Sequence, residues 1–451
     1  MPTQDALSAG SPATAKTPSV MANSNFRWLC AGSIMTMVGD QFTLIALPLL
    51  VLSMTSDPLA LGLVFALIGV PRAIFILVGG ATVDHFSPQR VLMLTKYINT
   101  ALLGILAALV LTQRLDMWML YALATALGLS TAFSIPSTTA MLPHALPPEH
   151  LTAANGMMLG LRQLSMFLGP LLAGLLIAIA GDADAAHKIA PAGFGLAFGI
   201  DAFTFAASAW TLARVVSRPH APHAVGAPGK GVLKMVGEGL AFCWNDKAMR
   251  MCFFYGAAIA FFISGPMQVA VPLLAVQLHD PSALGVLMGA HGAGTLLGMA
   301  LSGMRPGWRL GSLGTTILLL DCVAGALFIP IGQVGSVLAG SALLLGIGAL
   351  SGFLQIALFS WIQKRVPLAM MGRAMSLFMF VAVGVAPISA SLTGWVLRQI
   401  SLSQLFMASG ALLIVTVVIA ALSPSIRAIK EQEPEQERAP VPEQERMGSA
   451  V

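Results

Sequence analysis

Five charged side chains stand inside long apolar runs of this 451-residue chain: Asp40, Arg72, Arg162, Asp201 and Asp321. A charge at the centre of a membrane helix costs roughly 2.5 to 3.5 kcal/mol on insertion scales unless it is paired or hydrated, so each of these needs a partner or a wet cavity. Carboxylates in such a place can take up and release protons, and guanidinium groups can pair with them or with an anionic ligand. Asp40 lies mid-run in Gly39-Asp40-Gln41, and Arg72 follows Pro71 midway along the next run, which makes the two expected partners across a polar cavity. A proton or substrate role for Asp40 stands beside a purely structural ion pair. Arg162 is the candidate to meet an anionic ligand, while Asp201 and Asp321 read as structural charges. His291, set among Gly289, Gly292 and Gly294, is a further cavity candidate.

The surrounding chain dictates how such groups are held. It is 57% hydrophobic and only 10% charged, with a mean hydropathy of +0.83, far outside the range of soluble domains. A bilayer core takes about 20 mostly apolar residues per helix, and roughly twelve such runs fall between Phe26 and Leu422. The runs are continuous rather than alternating, which excludes a transmembrane barrel. The 45 glycines suit helices packed closely in lipid. Net charge is +5, which in a membrane chain reflects loop charge and gives no reason to invoke nucleic acid. Cys30, Cys243, Cys252 and Cys322 show no metal-ligand spacing and read as packing residues.

An internal repeat orders these runs. Ile45-Ala46-Leu47-Pro48-Leu49-Leu50 is echoed by Val269-Ala270-Val271-Pro272-Leu273-Leu274, and Asp57-Pro58-Leu59-Ala60-Leu61-Gly62 by Asp280-Pro281-Ser282-Ala283-Leu284-Gly285. Continuing the second register sets Gly303 opposite Gly80, so a whole apolar hairpin is repeated. The expected helices of the first half are Phe26 to Leu52, Pro58 to Val83, Val91 to Thr112, Met117 to Leu142, Gly156 to Ala180 and Gly193 to Val215. Those of the second are Met251 to Val276, Ala283 to Met304, Leu313 to Ile331, Val337 to Ile362, Ala374 to Leu397 and Leu402 to Leu422. The expected organisation is a tail over 1–25, a six-helix bundle over 26–216, a linker over 217–248, a second bundle over 249–423 and a charged tail over 424–451. The linker is rich in Pro, Gly and His, and Val232, Val236, Leu240 and Cys243 then mark an amphipathic helix on the membrane surface. Its His220 and His223 lack an acidic or thiol partner for a metal. The first 25 residues have neither the basic start nor the apolar core of a signal peptide. Pro434-Glu435-Gln436-Glu437-Arg438 recurs as Pro442-Glu443-Gln444-Glu445-Arg446, a low-complexity tail expected to be disordered.

Loop Lys and Arg are lopsided. Arg90, Lys96, Arg214, Arg218, Lys230, Lys234, Lys247, Arg250, Arg305, Arg309, Lys364, Arg365 and Arg373 share the side of the termini, against Arg114, Lys188 and Arg398 opposite. The basic side, with both termini, is expected in the cytoplasm.

Three sequence motifs carry a resemblance. Gly79-Gly80-Ala81-Thr82-Val83-Asp84-His85-Phe86-Ser87-Pro88-Gln89-Arg90 resembles motif A of the major facilitator superfamily, with Gly80, Asp84 and Arg90 fitting while His85 and Ser87 depart from the usual pattern. Leu168-Gly169-Pro170-Leu171-Leu172-Ala173-Gly174 resembles that family's motif C, found in antiporters; Gly169, Pro170 and Gly174 carry it. Trp361-Ile362-Gln363-Lys364-Arg365-Val366-Pro367 with Gly372-Arg373, and Leu142-Pro143-His144-Ala145 through Ala154-Asn155-Gly156, resemble loops of the enterobactin-exporter and macrolide-efflux branch.

The resemblance implies an all-α membrane protein of twelve transmembrane helices in two six-helix pseudo-repeats. It also implies alternating access, with Asp84 and Arg90 holding the terminal side closed in one state. The expected activity is proton-coupled export of a siderophore, macrolide or other amphipathic small molecule through the inner membrane, by a monomer with no cofactor beyond the proton gradient. No phosphate-binding loop is present to drive transport by ATP. Uptake of a metabolite on the same fold is the alternative. A membrane-embedded lipid-modifying enzyme would have only His144, Glu149 and His150 to work with, and the chain is expected not to be an enzyme.

Overall fold

A computed structural model describes residues 19–180, 191–216, 244–305, 308, 311–366 and 384–423, leaving aside the side chains of 77–85 and 248. Among the described residues there is no strand. The first half comprises α1 (Ser24–Thr55), α2 (Pro58–His85), α3 (Pro88–Leu111), α4 (Met117–Ala145), α5 (Pro148–Ala180) and α6 (Pro191–Ala213). In the second half α7 is the bent span Met249–Gln277, followed by α8 (Ala283–Met304), α9 (Leu313–Ile331), α10 (Val337–Arg365), a helical stretch α11 over 384–396, and α12 (Leu402–Leu422). Eleven of these are long and apolar enough to cross a bilayer, and α11 is the described part of the twelfth.

Local chemistry sets the helix ends. Ser312, Ser336 and Ser401 accept hydrogen bonds from the backbone N–H of Thr315, Ala339 and Gln404, capping α9, α10 and α12. Helix α5 begins at Pro148 rather than near Gly156, since a proline is at home in a first helical turn; Glu149 and His150 therefore lie on a helix and not in a loop. Helix α7 is interrupted at Gly265 by a π-helical turn over Pro266–Ala270 before resuming as Val271–Gln277.

Within the first half α1 lies against α5 and α6, α3 against α6, and α2 against α4. Within the second, α8 packs along α10 and α9 along α12. Lipid offers apolar helices little reason to associate, so close approach through small residues must supply the contact. Gly294 and Gly298 of α8 meet the carbonyls of Leu345 and Ala349 on α10, where any side chain would collide with backbone.

The two halves meet at the face opposite the termini. The repeated stretches form much of this seam: Ile45 to Leu52 and Val269, Ala270, Val271 and Leu274 are buried in one continuous cluster. The expected linker helix over 232–243, the histidines 220 and 223, the loop 367–373 and the tail beyond 423 lie outside the described residues.

Candidate functional site

The ionisable side chains of the apolar runs share one level. Asp40, Arg72, Arg162, Asp201, His291 and Asp321 each lie close to the midpoint of their helix, and Lys96 lies nearer the first turns of α3. This is a belt at the depth where a bilayer is driest.

In the first half three of them form a group. Asp201 of α6 is almost wholly buried; it accepts a hydrogen bond from the Thr43 hydroxyl of α1, while Thr204 bonds the Asp201 backbone carbonyl at 2.8 Å. Lys96 of α3 is 8% exposed, donates to Ser208 Oγ of α6 at 2.6 Å and lies 5.8 Å from the centre of the Phe205 ring. Asp40 of α1 sits next to Gly39, which packs against Thr204 and Asp201, and interacts electrostatically with both Lys96 and Asp201. Its own side chain is exposed, unlike those of Asp201 and Lys96. Asn99, one helical turn from Lys96, leaves its side-chain oxygen buried without a partner.

Here the structure corrects two expectations. The cation facing Asp40 is Lys96, not Arg72, and Lys96 is not a loop charge but a buried side chain inside α3. The sequence carried the signal, since Lys96 falls five residues into the expected run from Val91 and is followed by Asn99 and Thr100. Asp201, read alone as a structural charge, is brought beside Asp40.

The two arginines stand apart from this group. On α2, Leu63, Val70 and Ile74 form an exposed strip, Gly62 and Gly69 face α11, and Ile68 meets Gly128 of α4. Helical spacing places Arg72 opposite the exposed strip, between α4 and α11. Its Nε is sealed from solvent and has no hydrogen-bond partner. On α5, Ser165 and Gly169 face α1, whereas Gln163 and Gly174 face α8. Arg162 projects between those two faces, along the same strip as the exposed Leu159 and Met166.

The remaining candidates lie in the second half. Asp321 of α9 accepts a 2.6 Å hydrogen bond from the Tyr255 hydroxyl of α7, one of only three tyrosines in the chain, with Cys252 and Cys322 alongside. Tyr255 was not anticipated as its partner. His291 lies in the α8–α10 seam, its carbonyl against Gly348 and its Nδ1 buried without a partner.

Motif residues divide likewise. The side chains of Gly80 and Asp84 are outside the description, and Arg90 is exposed in the first turn of α3 on the terminal face. Gly169 packs on Gln41 of α1, while the Pro170 carbonyl and Gly174 meet Gly285 of α8, so this motif seats α5 against both halves at once.

One end of the interior is shut. At the face opposite the termini, Arg398 Nε donates to Asp57 Oδ1 at 3.0 Å and its Nη2 to the other oxygen, joining the α1–α2 turn to the end of α11. This pairing holds the Asp57 carboxyl below its ordinary value. Gly394 packs on Pro58 and Leu59, and Gly174 on Gly285. Toward the terminal face the α5–α8 seam parts: Gln163 still reaches Met299, but among the described residues no atom of a neighbouring element lies within 4 Å of a Cβ placed on Gly156, Gly160 or Gly303. This seam is closed outside and open toward the termini. Among the described residues no cluster of His, Cys, Asp or Glu could hold a metal ion.

Comparison with known proteins places this geometry. The profile of the Major Facilitator Superfamily matches residues 29–390. The multidrug efflux pump Tap of Mycobacterium tuberculosis (strain ATCC 25618 / H37Rv) is 25% identical over 371 residues, 80% of this chain and 84% of that protein. The enterobactin exporter EntS of Citrobacter koseri is 25% identical over 361 residues, 78% and 80% of the two chains. Among solved structures, the nucleoside transporter NupG superposes with a TM-score of 0.68 at 12% identity, covering 88% of this chain and 98% of its own.

Proposed function

The chain belongs to the Major Facilitator Superfamily, a multi-pass transporter with efflux pumps among its relatives, and on that premise we propose that it exports an amphipathic small molecule in exchange for protons. The observation that carries the reading is the Asp40–Asp201–Lys96 group within the membrane-spanning helices, with Asp201 and Lys96 buried and Asp40 exposed beside them. Fully ionised, two carboxylates and one ammonium leave a net charge of minus one. One proton shared by the carboxylates makes the group neutral. A neutral group passes through the closed, dry intermediate of the rocking step at far smaller electrostatic cost than a charged one. Inward movement of the proton and outward movement of cargo are thereby linked through the same space.

In this reading the 26–216 and 249–423 bundles rock about the seam of repeated stretches, joined by the 217–248 linker. The termini lie in the cytoplasm, so the present state faces inward. Gly80, Asp84 and Arg90 form the gate that closes the cytoplasmic side in the opposite state. The efflux relatives support export, and siderophores, macrolides and related compounds are the cargo class we infer from them.

The test is gradient-driven uptake of a labelled compound panel into inverted vesicles. Wild-type protein should accumulate cargo when the vesicle interior is acidified. Asp40→Asn, at equal membrane abundance, should lose accumulation while still exchanging cargo downhill. Pumping by Asp40→Asn with unchanged pH dependence would remove Asp40 from coupling, and accumulation only with the gradient reversed would make the protein an uptake permease.

A further inference from the structure

We propose that the interior binds an amphipathic organic anion, with Arg72 as the principal counter-charge and Arg162 as its partner across the first half. The proposal rests on the transport reading and names the chemical class of its cargo.

The argument begins with how the charges at mid-depth are disposed. Both carboxylates of the first half are engaged: Asp201 with Thr43, and Asp40 with Lys96 and Asp201 through their mutual field. The carboxylate of the second half is held by Tyr255. Among the described residues no acid is paired with either arginine. Arg72 meets no carboxylate among the described residues, and its Nε is sealed within protein without an acceptor. A buried guanidinium without a counter-ion is an expensive feature to build, because the cation loses hydration and regains nothing. Its side chain is only partly covered, which leaves room for an anionic ligand to reach the guanidinium.

Geometry assigns the direction. Arg72 stands on the face of α2 opposite the exposed strip of Leu63, Val70 and Ile74, and Arg162 on the strip of α5 between the α1 and α8 contacts. Arg72 is thus held on the packed side of α2, beside its contact with α11 of the second half, and Arg162 lies exposed on α5 between that helix's contacts with α1 and with α8 of the second half. Planar guanidinium forks suit a carboxylate or another delocalised oxyanion, whereas a cationic compound would meet two uncompensated positive charges. The strip around Arg162 supplies the other part of the match: Leu159 and Met166 present exposed apolar surface beside the charge. An aliphatic or aromatic body with one anionic end fits that pairing.

The experiment uses the full-length protein in nanodiscs and two probes differing in one group, N-dansyl-11-aminoundecanoic acid and its methyl ester. Fluorescence titration should show saturable binding of the acid, at least about tenfold tighter than of the ester. Arg72→Gln should remove that preference while leaving ester binding as in wild type; Arg162→Gln should reduce it by a smaller factor. Arg72→Lys, which keeps the charge but loses the fork, should retain part of the preference and controls for misfolding in Arg72→Gln. Equal affinity for acid and ester, absence of saturable acid binding, or a preference that survives Arg72→Gln overturns the proposal. The transport reading fails separately. If acid binding shows the expected pattern but vesicles pump no compound, the anion site stands and coupling falls; if vesicles pump but the acid is not preferred, the reverse holds.

Discussion

The two halves of the molecule share a plan and differ in chemistry, most plainly on their third helices. Lys96 stands the same number of residues after the N-cap Ser87 as Asp321 after the N-cap Ser312. Both are buried within their helices, yet one is a cation bonded to Ser208 in the field of Asp40 and the other an acid satisfied by a single tyrosine. The turn before the second helix of each half diverges in the same way. Asp57 reaches across to Arg398, while its counterpart Asp280 bonds only Ser282 nearby. Repetition thus accounts for the scaffold, and on the proposed reading departure from it accounts for the coupling: the first half would carry the charge that changes, and the second the wall it moves against.

Removing the cation should break this contrast most severely. Lys96→Met leaves Asp40 and Asp201 facing each other without compensation, and uncovering a buried charge typically costs 3–5 kcal/mol, so about 3 kcal/mol of stability should be lost along with gradient-driven efflux. Thermal unfolding in detergent measures the first and vesicle transport the second. Because Asp40→Asn removes a negative charge, the double variant should recover much of the stability; strictly additive losses would mean the two are not coupled.

Packing between the halves comes next. Gly285→Leu would press a side chain into the Pro170 carbonyl and Gly174, and overpacking of this sort costs about 1–3 kcal/mol. Gly303→Ala, at the open end of the same helix with no atom nearby, should be neutral or slightly stabilising. If both variants melt alike, the seam is not closed where the contacts place it.

Asp321→Asn should matter less, because the amide oxygen still accepts from Tyr255 and a neutral bond replaces a charge-assisted one for ~1 kcal/mol. Efflux should stay within about fivefold of wild type. Abolished pumping would move coupling into the second half and invert the comparison.

The smallest effect belongs to the Asp57–Arg398 latch. Arg398 is exposed, so Arg398→Gln should raise labelling of cysteines placed at the outer face by only about twofold, less in high salt. Its pH dependence has a definite sign. The pairing lowers the Asp57 pKa beneath its ordinary 3.8, so the closed state gains fully above 3.8 and loses that gain as pH falls through the lowered value. Outer-face labelling should therefore be flat across neutral and mildly acidic pH in this respect and rise only in stronger acid.

Much of this was legible before any coordinates. Continuous apolar runs announce membrane helices, and the echo of Ile45-Ala46-Leu47-Pro48 in Val269-Ala270-Val271-Pro272 announces the duplicated bundle, because both follow from composition along the chain. The pairing of charges was not legible. The cation whose field reaches Asp40 is Lys96 rather than Arg72 because α1 packs on α6 and α6 on α3, and partner choice among helices depends on rotation about each axis, which no one-dimensional pattern fixes. Lys96 was missed for a simpler reason: five residues from the expected start of a run, a lysine reads as a loop charge able to snorkel to the surface. The inner start of α5 was hidden by Pro147 and Pro148, which look like a loop but serve as the entry to a helix.

The tryptophans of the terminal face bear on the bilayer itself. Arg214 lies over both Trp28 and Trp210, 4.9 Å from the latter ring, while in the second half Arg250 lies over Trp244 and Arg305 over Trp308. Rings of this kind settle at the headgroup level, and a guanidinium stacked on them stays with them. Each half thus floats on its own waterline. If the halves rock as proposed, their two waterlines must tilt against one another, so membrane thickness would become a term in the conformational equilibrium, worth roughly a fraction of a kcal/mol per Å of mismatch. A thinner or thicker membrane would shift the balance between inward and outward states without touching a single residue of the transport path.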